Sequence, residues 1–138
     1  VKISDVEKWQ LIQWKSLEAA YRTSPFFEFY EDEIQPLFEL KSDFIFDHNV
    51  KCFEVISGFL QLDITPKFTT TFNKNPEDLK DFRPLANARQ EKKILLEPYT
   101  QVFNSKHGYI NNLSILDLLF NEGTNALSYL ESQLLPDV

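Results

Sequence analysis

Hydrophobic residues recur at helical rather than strand spacing along most of this chain. Val6, Trp9, Trp14, Leu17, Ala20 and Tyr21 fall on one broad face of a first helix, with Gln13 in the middle of that face. Ser4-Asp5-Val6-Glu7 in front of it has the form of a capping box, in which Ser4 caps the helix and Glu7 reaches back. Ser24-Pro25 predicts a second start, with Ser as N-cap and Pro at the first helical position. Phe26, Phe27 and Tyr30 make that helix strongly aromatic. Pro36 lacks an N–H and clashes with the preceding turn. The second helix is therefore expected to end near Ile34, and a long third one to run from about Pro36 to about Leu62. Leu37, Leu40, Phe44, Cys52, Val55, Phe59 and Leu62 share one face of it, while Phe38, Ile45, Phe46, Phe53, Ile56 and Leu60 fill the flanks, which predicts a central, buried helix.

Asp63-Ile64-Thr65-Pro66 ends the pattern. Lys67-Phe68-Thr69-Thr70-Thr71-Phe72 alternates with β-branched Thr and predicts one strand, which needs a partner to be stable. A short helix is expected from Asn75-Pro76-Glu77-Asp78, and a polar surface loop from Arg83-Pro84 to Lys93. Pro98 to Phe103 forms a short turn or helix before His107-Gly108. Asn111-Asn112 offers an N-cap for a helix Leu113 to Glu122, Gly123 stops it, and Thr124 caps a last helix to about Leu134. The fold class is mainly α: one compact domain over residues 1–138, five or six helices, and at most one or two short strands near 67–72.

Composition sharpens this picture. The chain has 138 residues, 43% hydrophobic and 14% aromatic, enough for a dense core without a disulfide or structural metal. Its net charge of −7 argues against nucleic acid and against an anionic membrane surface. Cys52 is the single cysteine, so no internal disulfide forms. No run approaches the roughly 18 apolar residues of a membrane span, and no signal peptide opens the chain, so the expected location is the cytoplasm. The chain starts Val1-Lys2-Ile3 and contains no Met, which suggests a piece of a longer protein.

Three widely spaced glycines make no phosphate loop, there is no G-x-S-x-G elbow, and one Cys with two His makes no usual zinc site. The sequence leaves the cofactor unknown. His48 lies on the apolar face of the third helix, either as a satisfied core histidine or as a base, and Cys52 follows four residues later on the same face. Tyr99 to Gly123 is chemically richer. Asn112 and Ser114 stand at a helix N-terminus, where free N–H groups and a partial positive charge favour an anion. Asp117 and Asn121 share a helix face. The set either forms a site or pins the loop Tyr99–His107.

Tyr99-Thr100-Gln101-Val102-Phe103, His107-Gly108 and Asn112 through Gly123 resemble the C-terminal signature of the WbqC-like protein family. Trp14-Lys15, Tyr21, Ser24-Pro25-Phe26-Phe27, Tyr30, Asp47 with Asn49, and Asp81-Phe82-Arg83 are similar to residues that the family carries upstream. Members of that family begin with a segment bearing a Gln-Pro-x-Tyr-type motif and a basic, Asn- and Gln-containing motif. Neither occurs here, so the chain resembles the C-terminal two-thirds of such a protein, and the missing part would supply strands to pair with Lys67–Phe72. The resemblance implies bacterial surface-polysaccharide (O-antigen) biosynthesis, with transfer of glycine or a similar small acyl group to a sugar intermediate. It implies His107 or Asp117 as catalytic base, and oxyanion donors among Gln101, Asn112 and the helix N–H groups. It implies a phosphate contact from Arg83 and further substrate contacts from Tyr99, Ser114, Asn121, Lys15 and Tyr21, with Trp14, Tyr99 or Tyr109 stacking on the sugar. The alternative is a non-catalytic module that binds a sugar nucleotide or a protein partner of the same pathway.

Overall fold

A computed structural model describes residues 1–4, 8–76, 80–83 and 95–134. Among these the chain is mainly helical, as its periodicity predicts. The helices are α1 (Trp9–Tyr21), α2 (Phe27–Glu39), α3 (Ile45–Phe59), α4 (Asn104–His107), α5 (Ile115–Glu122) and α6 (Ala126–Ser132), with a 3-10 turn at Gly123–Asn125 joining the last two. No described helix is long and apolar enough to cross a membrane. Glu7 of the capping box, the helix expected from Asn75 to Asp78, the loop from Pro84 to Lys93 and the end at Pro136 fall wholly or partly outside the described residues.

The core forms where α1, α2, α5 and α6 converge. α2 packs on α1, α3 and α5, and α5 packs on α6. Trp14, Phe27, Tyr30, Ile34, Leu60, Leu118, Leu119, Phe120 and Ala126 are its buried members. Aromatic rings run through it in sequence: Trp14 lies 6.0 Å from Phe27, Phe27 lies 5.1 Å from Phe120, and Phe120 lies 5.1 Å from Tyr21. Full burial of rings such as Phe27 and Phe120 contributes about 1.5–3 kcal/mol each, so this ladder is the main stabilising feature that positions α5. A backbone bond from Phe26 N–H to the Phe120 carbonyl, 3.0 Å, fixes the start of α2 against the end of α5.

Several local expectations are corrected. Pro36 lies inside α2, which continues to Glu39. The proline sits in the helix's last turn on its exposed side, where the carbonyl left free at Asp32 can be met by water. The break comes instead at Leu40, whose backbone is extended (ψ 121°). The chain start holds that break: Lys2 bridges Phe44 antiparallel, and Ile45 N–H donates to the Val1 carbonyl. Ser24 does not cap α2. Its hydroxyl and its N–H both donate to the Tyr21 carbonyl, at 2.7 and 2.8 Å, so it closes α1.

α3 is not a buried central helix. Ser57 is its only buried residue, while Phe46 and Phe53 are exposed, because α2 covers one side of α3 only. Residues 67–72 form no strand: all are exposed, and no strand partner exists among the described residues. Unpaired, their N–H and C=O groups gain nothing from extension. α5 is capped by Ser114, which accepts from Leu116 N–H at 3.3 Å, and not by Asn112. Asn112 has φ +55°, outside the extended conformation of an N-cap. The stop at Gly123 holds: its φ is +56°, and a Cβ there would stand 2.6 Å from the Phe26 ring.

Candidate functional site

The loop before α4 and the buried face of α5 meet through Asp117. This carboxylate is 3% exposed. It accepts the Tyr99 hydroxyl at 2.6 Å, and its charge reaches the Tyr21 phenol on α1. Burial, followed by the charge of Asp117, holds the Tyr21 phenol well above its ordinary value. Burial, followed by the hydrogen bond to Asp117, does the same for Tyr99. Asn121, one turn on, donates to the Asp117 carbonyl at 2.7 Å. Gln101, 5% exposed, lends both ends of its amide to one residue: Nε2 donates to the Ile110 carbonyl and Oε1 accepts Ile110 N–H, each at 2.8 Å. That reciprocal pair closes the loop 101–110 as a backbone ladder would. The polar set therefore pins the loop, one of the two roles its residue types allow, and it leaves Asp117 and Gln101 fully engaged.

Asn112 and Ser114 line a hollow of about 260 Å³ together with Tyr99, while the other predicted residues scatter. Trp14 is buried between Phe27 and Phe38 in the core. Lys15 is exposed and pairs with Glu18 at 2.6 Å. Arg83 is held by Asp81 at 2.7 Å and by the carbonyls of Asn73 and Lys74. His107 is exposed at the end of α4, its ring 6.5 Å from Phe103. His48 and Cys52 meet at 3.6 Å (Nε2 to Sγ) on the wall of an apolar cavity of about 230 Å³ shared with Ile34, Leu37 and Ile115. Burial raises the thiol above its usual value, the opposite of an activated nucleophile. Among the described residues no cluster of three or more His, Cys, Asp or Glu is placed to hold a metal ion.

Beside the clamp lies a hollow of about 480 Å³ lined by Pro98, Tyr99, Thr100, Asn104, Tyr109, Glu122 and Tyr129. Its volume is within the roughly 300–1,000 Å³ of small-molecule sites. Tyr99 is the central ring, 5.7 Å from Tyr109 at 78° and 5.2 Å from Tyr129 at 75°. The hydroxyls of Tyr109 and Tyr129 both donate to the Glu97 carbonyl, at 3.3 and 2.6 Å, which fixes these two rings. Burial, then the Tyr109 hydrogen bond, raises the Tyr129 phenol. Tyr99 thus serves both structures: its hydroxyl locks onto Asp117 and its ring walls the hollow. A larger hollow of about 580 Å³ between Ile3, Lys8 and Asp43 mixes Lys and carboxylate groups around the single ring of Phe38.

Comparison with models of protein families matches residues 1–95 to the WbqC-like protein family, 95 of the 138 residues. The chain belongs to the WbqC-like family. The match takes in Trp14, Lys15, Tyr21, Ser24–Phe27, Tyr30, Asp47, Asn49 and Arg83 and stops before Tyr99. Membership therefore rests on α1 to α3 and the stretch after them, while the signature seen at Tyr99–Gly123 lies beyond the matched stretch. No curated protein and no solved structure matches the chain. Sequence reasoning missed Asn104, Glu122 and Tyr129 as members of the hollow. The latter two sit in runs that read as ordinary helix, and only the 3-10 turn between α5 and α6 brings them to one side.

Proposed function

We propose that this WbqC-like chain binds a sugar intermediate of bacterial surface-polysaccharide (O-antigen) assembly in the tyrosine-walled hollow beside α5. The observation that carries the reading is the lining of that hollow. Tyrosine rings pack on the C–H faces of a pyranose, while Thr100, Asn104 and Glu122 offer hydroxyl, amide and carboxylate partners for its hydroxyls. The rings are held by hydrogen bonds made inside the protein, so little ordering is left for the ligand to impose. Family membership supports the pathway, and the lining supports the ligand class.

Transfer of glycine or a similar small acyl group to that sugar is the chemistry that the family resemblance adds. Binding stands ahead of it for a geometric reason. The reaction needs a base at the acceptor, and Asp117 is buried under two phenols while His107 does not line the hollow. The test is calorimetric titration of the protein with hexoses, N-acetylhexosamines and free hexosamines, repeated with Tyr109→Ala. Saturable binding by the native protein and its loss in a still-folded variant are expected. No binding by any of these sugars to the native protein overturns the proposal.

A further inference from the structure

The charge on the hollow narrows the ligand further. Among the described residues Glu122 is the only charged side chain in its lining, and none of the described Lys or Arg contributes. None of the ion pairs among the described residues involves Glu122. Glu122 is also the last residue of α5, so the helix's C-terminal carbonyls add partial negative charge on the same side. The rings of Tyr99, Tyr109 and Tyr129, in edge-to-face contact at 78° and 75°, line the same hollow. Several aromatic faces with one carboxylate attract an organic cation and repel phosphate.

We propose that the hollow recognises a sugar carrying a free amino group, with Glu122 as counter-charge and Tyr99, Tyr109 and Tyr129 enclosing the ammonium. This rests on the reading of the hollow as a sugar site and specifies its substrate class. The same charge disfavours a sugar nucleotide, whose diphosphate would meet Glu122 with no cation among the described lining residues to offset it. A sugar amine is also the nucleophile that an acyl-transfer step would consume, so the hollow would hold an acceptor rather than a donor.

The experiment compares D-glucosamine, N-acetyl-D-glucosamine and D-glucose at neutral pH and low salt by calorimetry, on the native protein and on Glu122→Gln. Glucosamine is expected to bind about tenfold more tightly than the other two, through cation–π and carboxylate attraction together. In Glu122→Gln, checked for folding by its unfolding midpoint, that preference is expected to disappear while residual sugar binding remains. Equal affinity of the native protein for the three sugars overturns the ammonium assignment and leaves the sugar site standing. A preference that survives in Glu122→Gln also overturns it. If none of the sugars binds the native protein, the sugar reading falls and this assignment with it.

Discussion

Replacing Asp117 by alanine removes the acceptor of the Tyr99 hydroxyl. Tyr99 donates to it at 2.6 Å, within a site where Asp117 is 3% exposed. A buried donor left without a partner costs roughly 1–3 kcal/mol. Tyr99 is half-buried and its bond is charge-assisted, so the variant is expected to lose about 2 kcal/mol. Asp117→Asn keeps the shape and one acceptor oxygen, and gives up the charge assistance and one well-placed acceptor, for about 1 kcal/mol. Urea unfolding followed by tryptophan fluorescence reads both, because Trp14 lies in the core that α5 completes. With a slope of about 1–3 kcal/mol/M, the alanine midpoint should fall by on the order of 1 M and the asparagine midpoint by less. An alanine variant within about 0.5 kcal/mol of the native protein, or an asparagine variant less stable than the alanine one, would refute the clamp.

Two further outcomes follow from the same geometry. Gly123→Ala combines a backbone conformation with φ +56° and a Cβ set 2.6 Å from the Phe26 ring, whereas Gly108→Ala, at φ +70°, meets nothing within 4 Å. Both variants carry backbone strain of about 1–3 kcal/mol; Gly123→Ala adds overpacking of roughly 1–3 kcal/mol, so thermal melts should rank it clearly below Gly108→Ala, and the reverse ranking would contradict the packing of α2 on α5. Tyr21, Tyr30, Tyr99 and Tyr129 all have phenols raised above 10.0, chiefly by burial. Raised folded-state values mean that their contribution is fully present below pH 10 and is lost as pH climbs above it toward the folded-state values, since the unfolded chain ionises first. Stability should therefore decline from about pH 10 upward, with phenolate absorbance lagging behind free tyrosine until unfolding; four phenols that titrate like free tyrosine in the folded state would contradict this.

The helical class was legible because the apolar spacing is helical over most of the described chain, and Gly123 because a glycine after a periodic run marks a stop. What escaped depends on contacts between distant residues. Pro36 is a sound helix breaker in a buried interior, but here it stands on an exposed last turn, and the true break is set by residues 43–45 meeting residues 1–3. Lys67–Phe72 has strand-like alternation and no partner among the described residues to make it a strand. The many apolar positions of α3 suggest burial on all sides, yet Phe46 stays exposed with Phe68 5.3 Å away. In the site, the spacing of Asp117 and Asn121 allows either a clamp or a catalyst; the short bonds from Tyr99 and within the Gln101–Ile110 pair hold the loop, and those contacts are not encoded in the spacing. The hollow was half visible, through Tyr99 and Tyr109. Its other half, Glu122 and Tyr129, depends on a turn between two helices that periodicity does not encode.

The most direct measurement is a titration of the protein with D-glucosamine followed by the ring resonances of its five tyrosines. Saturable shifts at Tyr99, Tyr109 and Tyr129, with Tyr30 in the core unmoved, are the result expected of a sugar held in the hollow. Unmoved rings at all three positions, or shifts confined to residues outside the hollow, would contradict it.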